Sequence, residues 1–593
     1  MVALLVSLML CAPPGEAFAE QSSADVAIRA TEPADHASAE FAAGAAEPAA
    51  GAIQPSPDVL LVCPDPFLEP MQPWIKHRQA QGHQIAVIRP SASAEGIAQT
   101  ICELARGGSV RYVLLVGDVA PWVLLNRPSR LPRVPTHYLH ARVNVLWGSE
   151  PAIASDAPYG DLDGDNRPEL CVGRLSADTP AQLTTIVAKI LAYERSTDFG
   201  PWRRQVRCVA GVGEFGAVAD AVIESSARAL LCRNIPAEYN VGMTYGNWRS
   251  PYCPDPRQLR QATLASLNEG AWFWVYVGHG YHLALDRMRL PTGNYPILER
   301  NDLSQLRCAH GAPIALMLAC YTGGLDATED CLAEEMLRQP GGPVAVLAAS
   351  RVAMPYAMSL FSTSLMRGLF ERRPLTIGEL VRDAKRELIS EPAADDQQRT
   401  TLDAIASLLS PNAKLLGDER LEHVWMFNLF GDPLLRLRYP HPVRFDVLVG
   451  DMRVASATTQ GSSPSRLTAG SSVRIRGTSP IEGVAWLELA APRGQLRFRA
   501  PSRREAPTTV DEALEMQRTY LAANDPCWTS VYQQVPAGAF SIELAVPESA
   551  RGAAQLRLFI EGEKDYAAGS TDVEIVSLPA SHPATAARRV LSR

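Results

Sequence analysis

A histidine and a cysteine each follow an uninterrupted apolar run. Residues 271–277 (Ala-Trp-Phe-Trp-Val-Tyr-Val) lead into Gly278-His279-Gly280, and residues 312–318 (Ala-Pro-Ile-Ala-Leu-Met-Leu) lead into Ala319-Cys320. A short apolar run bounded by breakers reads as a strand buried on both faces, and in open α/β sheets chemistry gathers beyond the carboxyl ends of such strands. A thiol is a good nucleophile only as thiolate, which a neighbouring imidazole can generate or hold as an ion pair. His279 and Cys320 are thus candidates for base and nucleophile. Two other readings compete: a packed thiol beside a surface histidine, and a zinc site built from His279 and His282 with Cys308 or Cys331. The second lacks any Cys-x-x-Cys or His-Glu-x-x-His spacing.

The surrounding pattern alternates strand and helix, as a parallel sheet with helices on its faces requires. Strand-like runs at 59–63, 85–88 and 112–116 belong to a first α/β unit over 58–200, closed by a helix that Thr179 caps, with Pro180 in its first turn. Runs at 206–212, 272–277, 314–318 and 344–348 belong to a second unit over 201–440. Beyond Pro440 the period changes to two, in Val473-Arg474-Ile475 and in Trp486-Leu487-Glu488-Leu489, which predicts an antiparallel β-sandwich over 441–580 and a tail over 581–593. Both α/β units end before the sandwich, so a 57–440 fragment is expected to fold and keep the catalytic residues.

The chain of 593 residues carries 47% hydrophobic and 20% charged residues, enough for several cores. A net charge of −8 offers no basic surplus for nucleic acid. Residues 1–19 read as a signal peptide: an apolar stretch too short to span a bilayer precedes Ala17-Phe18-Ala19, although no Lys or Arg stands before it. Residues 20–57 are an Ala/Pro-rich linker or pro-segment, and no later stretch resembles a membrane span. Export to a secreted, periplasmic or cell-surface location is therefore expected. Of eleven cysteines, Cys11 lies in the signal; with Cys320 free, nine remain, an odd number that rules out complete pairing, and Cys63, Cys171 and Cys208 sit in apolar strand-like runs as small hydrophobes, so at most one or two disulfides are expected. Asp161, Asp163 and Asp165, with Glu169, cluster carboxylates suited to calcium, but position six is Asn166 and position twelve Val172, so this is no EF-hand. An Asp/Gly turn is the competing reading.

Six segments in order resemble the gingipain-type cysteine peptidases of the caspase-like group, over roughly 59–438. They are Tyr112-Val113-Leu114-Leu115-Val116-Gly117-Asp118, Ser155-Asp156 through Val172-Gly173-Arg174-Leu175, Gly278-His279-Gly280, Ala319-Cys320-Tyr321-Thr322-Gly323, Cys331-Leu332-Ala333-Glu334 and Phe430-Gly431-Asp432-Pro433. The resemblance implies a caspase-like α/β catalytic domain of two subdomains with mostly parallel sheets, followed by an immunoglobulin-like sandwich. It implies catalysis by a Cys320–His279 dyad without a cofactor, with the backbone N–H groups of Gly280 and Cys320 holding the oxyanion. Glu214 resembles the glutamate that orients the histidine, the competing reading being a carboxylate that stabilises the N-terminus of the following helix. Asp220 roughly matches the carboxylate that receives a basic P1 side chain if about five residues are deleted, with Asp286 a rival. Val277 and Leu318 would be apolar pocket walls. The expected activity is that of an exported cysteine endopeptidase acting on proteins or peptides, with basic P1 residues the candidate specificity. A secreted non-catalytic binding protein that keeps this fold is the alternative.

Overall fold

In this computed structural model the apolar runs become strands of one ten-stranded sheet. It describes residues 56–124, 132–213, 234–308, 310–392, 396–409, 412–450, 452–456 and 465–576. In chain order the strands are β1 (Val59–Val62), β2 (Ile85–Ile88), β3 (Tyr112–Val116), β4 (Cys171–Leu175), β5 (Gln205–Ala210), β6 (Asn240–Tyr245), β7 (Phe273–Val277), β8 (Ile314–Leu318), β9 (Ala345–Ala349) and β10 (Phe427–Phe430). Across the sheet they lie β2-β1-β3-β4-β10-β9-β8-β7-β5-β6. Strands β1, β3, β8 and β9 are buried at every position because helices cover both faces.

The two α/β units meet at β10, which runs antiparallel to β9 and touches β4 through the single pair Phe430 and Arg174. Four residues of mixed character gave no strand signal in the sequence. A buried polar seam reinforces this thin junction. Arg174 grips Asp156 through two contacts of 2.7 Å, and the Asp156 N–H donates to the Asn428 side chain at 2.9 Å. Asp432 accepts from Trp74 and Arg78, both at 2.5 Å. The Phe430-Gly431-Asp432-Pro433 motif is therefore structural, pinning the end of β10 to the first unit.

The sandwich has one core fed by two sheets. One contains Gly483–Ala490, Cys527–Val535, Gly552–Glu561 and Tyr566–Val576; the other contains Met452–Ser456, Arg444–Val449, Ser472–Ser479 and Gly538–Ala545. It departs from the predicted antiparallel pattern twice. His441–Pro442 and Ser465–Thr468 both pair in parallel with Tyr566–Val576. A helix at Val510–Ala523, started by a Thr509/Glu512 capping box, interrupts it between Gly483–Ala490 and Cys527–Val535.

That helix and its flanks key the sandwich into the α/β part. Asn524 accepts from the Met243 N–H at 2.7 Å and donates to the Met243 carbonyl at 2.9 Å. Tyr520 meets Thr244 at 2.9 Å, and Arg493 donates to the carbonyls of Ile235, Pro236 and Tyr239. Arg204 makes a fork to Glu488 at 3.1 and 2.9 Å, which Arg557 joins at 2.9 Å. The sandwich is thus tied to the α/β part by polar side-chain contacts that the change of sequence period does not announce. Nine cysteines are described, and all are free thiols. Among the described residues no helix is long and apolar enough to cross a membrane.

Candidate active site

Strands β7 and β8 are parallel neighbours in which Val277 stands opposite Leu318. His279 and Cys320 each lie two residues beyond that pair, so adjacent strands about 4.8 Å apart deliver them side by side. On the far side of β7, Ala210 of β5 pairs with Val277; on the far side of β8, Met317 pairs with Ala348 of β9. The carboxyl ends of four neighbouring parallel strands therefore lie in a row at His279 and Cys320.

The histidine loop is fixed through its backbone. The Tyr276 hydroxyl donates to the His279 carbonyl at 2.7 Å, and the Gly278 N–H reaches the Leu318 carbonyl at 3.4 Å. Gly280 lies against the cysteine turn: a Cβ there would sit 2.5 Å from the Cys320 carbonyl oxygen. Only glycine permits so close an approach of the two backbones.

Cys320 is half-buried. Burial pushes its thiol up from the ordinary range, while the Ala353 N–H, donating to Sγ at 3.3 Å, pulls it back. A thiol so placed needs a proton acceptor to react at neutral pH. The next residue, Tyr321, has φ of 57°, a left-handed conformation that costs a non-glycine residue roughly 1–3 kcal/mol. Several contacts hold it there. Its N–H donates to the Arg351 carbonyl at 3.1 Å, its hydroxyl meets Ser149 at 3.0 Å and Glu150 at 2.9 Å, and its ring packs 4.9 Å from that of His282. Arg351 is locked in turn by a buried fork to Asp326 at 2.9 and 2.7 Å.

The other residues singled out in the sequence divide as follows. Leu318 is buried and Val277 half-buried, at the mouth between the strands. The Asp286 carboxylate lies by the strand ends, accepting from the N–H groups of Val212 at 3.0 Å and Arg287 at 2.8 Å. Glu214 and Asp220 lie outside the described residues. Asp161, Asp163 and Glu169 bring carboxylate oxygens within 4.8 Å of one another, and Asp165 is not part of that group. The loop is an Asx-type turn, with Asp161 accepting from Gly164 and Asn166 at 2.9 Å each. Burial raises the Asp161 carboxyl, with Glu169 and Asp165 adding to the shift. Among the described residues, no group of three metal-ligating side chains forms around His279 or His282. Cys331 instead starts the Leu332–Arg338 helix, and Cys308 donates to the His310 carbonyl at 3.1 Å.

Sequence reasoning missed Ala353, the Arg351–Asp326 pair and the Leu416–Met426 helix behind them. A buried arginine or a donating backbone N–H leaves no periodic trace. Asp118 and Glu334, both within resembling segments, are buried carboxyls that meet at Ser176, at 3.0 and 2.6 Å. Burial raises Glu334 well above the carboxylate range.

Residues 52–438 match the profile of Peptidase family C25. The chain belongs to that family. Gingipain R2 of Porphyromonas gingivalis (strain ATCC BAA-308 / W83) is 26% identical over 364 residues, covering 60% of this chain and 41% of that protein. Lys-gingipain W83 of Porphyromonas gingivalis is 25% identical over 192 residues, covering 32% of this chain and 10% of that protein. The chain thus spans less than half the length of these curated relatives. A solved structure described as the Arg-specific cysteine proteinase gingipain R covers 88% of this chain and 98% of its own, at 16% identity and a TM-score of 0.48.

Proposed function

We propose that this chain is a cysteine endopeptidase whose nucleophile is Cys320. The reading rests on the register that carries His279 and Cys320 off neighbouring parallel strands, two residues past the Val277–Leu318 pair. The Cys320 thiolate attacks the scissile carbonyl carbon, forming a C–S bond, and the resulting oxyanion lies against the N–H groups of Gly280 and Cys320. As the C–N bond breaks, His279 gives its proton to the leaving amine; water then cleaves the thioester and restores the thiol. Glu214, four residues beyond the end of β5, orients His279. No cofactor takes part. Incubation of the purified chain with a peptide library is expected to show internal cleavage that alkylation of Cys320 stops and chelators spare. Hydrolysis that survives stoichiometric alkylation of Cys320 would sink the proposal.

Cleavage follows a basic P1 residue, with Asp220 as its partner and Val277 and Leu318 as pocket walls. Of the two candidate carboxylates Asp220 is preferred, because backbone N–H groups already occupy Asp286. A charge-assisted fork to a guanidinium lost from one side costs roughly 2–5 kcal/mol. Asp220→Asn should therefore lower kcat/KM for an Arg substrate by tens-fold or more while sparing a norleucine analogue. Equal losses on both substrates would remove Asp220 from the pocket.

Residues 1–19 direct export, and the protein works outside the cytoplasm on protein or peptide substrates. The units over 58–200 and 201–440 form the catalytic part and 441–580 an accessory sandwich of immunoglobulin-like kind. Asp161, Asp163 and Glu169 hold a structural calcium, which relieves the crowding of like charges; Asp165 serves the turn, accepting from the Arg167 N–H at 2.7 Å. Added calcium should raise the melting temperature by about 1 °C per kcal/mol of binding linkage in a chain of this length, and Asp163→Asn should abolish the increment. An unchanged melting temperature with calcium in excess excludes the site.

A further inference from the structure

The Ala353 N–H that donates to the Cys320 sulfur belongs to a loop, and a loop amide is only as well aimed as its anchors. Its next residue, Met354, is held by an unusual one. The Met354 N–H donates to Nε2 of His423 at 2.9 Å, and His423 Nδ1 meets the Glu419 carbonyl at 2.8 Å, one helical turn back in Leu416–Met426. His423 is wholly buried. Its two neighbours fix the tautomer: a carbonyl beside Nδ1 requires a proton there, and an N–H beside Nε2 requires a lone pair. Burial keeps the ring neutral, pushing it down to about 4. Two carboxylates of the same helix also hold backbone, one in this segment and one in another. Glu419 accepts from the Ala357 N–H at 3.1 Å, and Glu422 gathers the N–H groups of Val143 and Asn144 at 2.7 and 2.9 Å.

We propose that His423 is a positioning residue for the Cys320 thiolate, acting through the 353–354 backbone. The imidazole holds the Met354 amide, which sets the direction of the adjoining Ala353 N–H, and that N–H stabilises the thiolate more than the thiol because hydrogen bonds to charged groups are the stronger ones. The inference deepens the reading of Cys320 as nucleophile and rests on it. Its test reads thiol reactivity rather than hydrolysis, so the two can fail separately.

The test compares His423→Asn with His423→Gln in the full chain. Asparagine places an amide N–H near the position of Nδ1 and keeps the bond to Glu419, but offers nothing at Nε2. Glutamine reaches the Nε2 position with an acceptor for Met354 and gives up the bond to Glu419. Met354→Pro forms an independent arm: it deletes the donor from a residue outside the helix, at a φ of −83° close to what a proline ring adopts. Alkylation of Cys320 by iodoacetamide, followed peptide by peptide across the neutral to alkaline range, gives the thiol's apparent pKa. His279, Tyr276, Tyr281 and Asp286 around the thiol, and Glu419, Arg420 and Glu422 around His423, are unchanged in all variants. With the Asn and Pro variants the pKa should rise by about one unit and the neutral-pH rate fall about tenfold. The Gln variant should stay within about threefold of wild type. Equal profiles for Asn and Gln, a shift with Gln alone, or a wild-type profile for Met354→Pro would each overturn the proposal. A merely structural role would lower stability in all three variants without separating their pH profiles.

Discussion

Cys320→Ala is expected to give a folded protein with peptide hydrolysis reduced by about 10⁴-fold or more, the usual size of a nucleophile's removal. The thiol is half-buried, and its hydrogen-bonded neighbour is the Ala353 backbone. Exchanging sulfur for hydrogen there should change stability by no more than about 1 kcal/mol. The chemistry has no substitute, because neither Tyr321, in its strained turn, nor Thr322, fully buried, can bring an oxygen to the same point. Hydrolysis and thermal melting on the same preparation decide it. A variant that melts like wild type and still cleaves would transfer the nucleophile elsewhere.

The largest effect on stability is expected from Glu488→Ala, which should destabilise the protein by about 3–5 kcal/mol. Glu488 lies between Arg204 and Arg557, whose side chains are 2% and 5% exposed. Arg204 also stacks on Phe559 at 4.9 Å and on Trp486 at 5.7 Å. Removing the carboxylate leaves two nearly buried guanidinium groups facing each other at the seam between the α/β part and the sandwich. The internal control is Glu543→Ala. Its partner Arg474 is just as close, at 2.6 Å, but the side chains are 35% and 62% exposed, so solvent screening should leave about 0–1 kcal/mol. Equal effects of the two substitutions in denaturant titrations would show that the seam carries no special load. The same argument predicts that a 57–440 fragment loses stability on isolation, since Arg204 would lose its partner.

How much could be read from the chain depended on distance along it. The strands that present His279 and Cys320 were legible because each is a run of residues that water excludes on both faces, and a parallel register needs only two such runs in neighbouring positions. The helix starting at Pro180 was legible from Thr179, whose cap is a contact three residues long. By contrast, β10 has four residues and owes its place to Asn428 and Asp432 reaching partners hundreds of positions away. The Val510–Ala523 helix lies within a stretch otherwise of period two, where its capping box was the available signal and was overlooked. The support of the thiol was least legible of all. Ala353 contributes a backbone N–H that every non-proline residue has, and His423 acts through an imidazole that is indistinguishable in sequence from any other buried histidine.

Strand β6 stands at one end of the ten-stranded sheet, and the last of its neighbours is the side chain of Asn524. That amide presents one acceptor and one donor to Met243 as a further strand would, so the sheet ends on a stopper rather than on open backbone. A bare edge of this kind is a template onto which another chain can add. Cleavage that frees the helix from β6 would take this stopper away and leave the edge open to pairing with another chain.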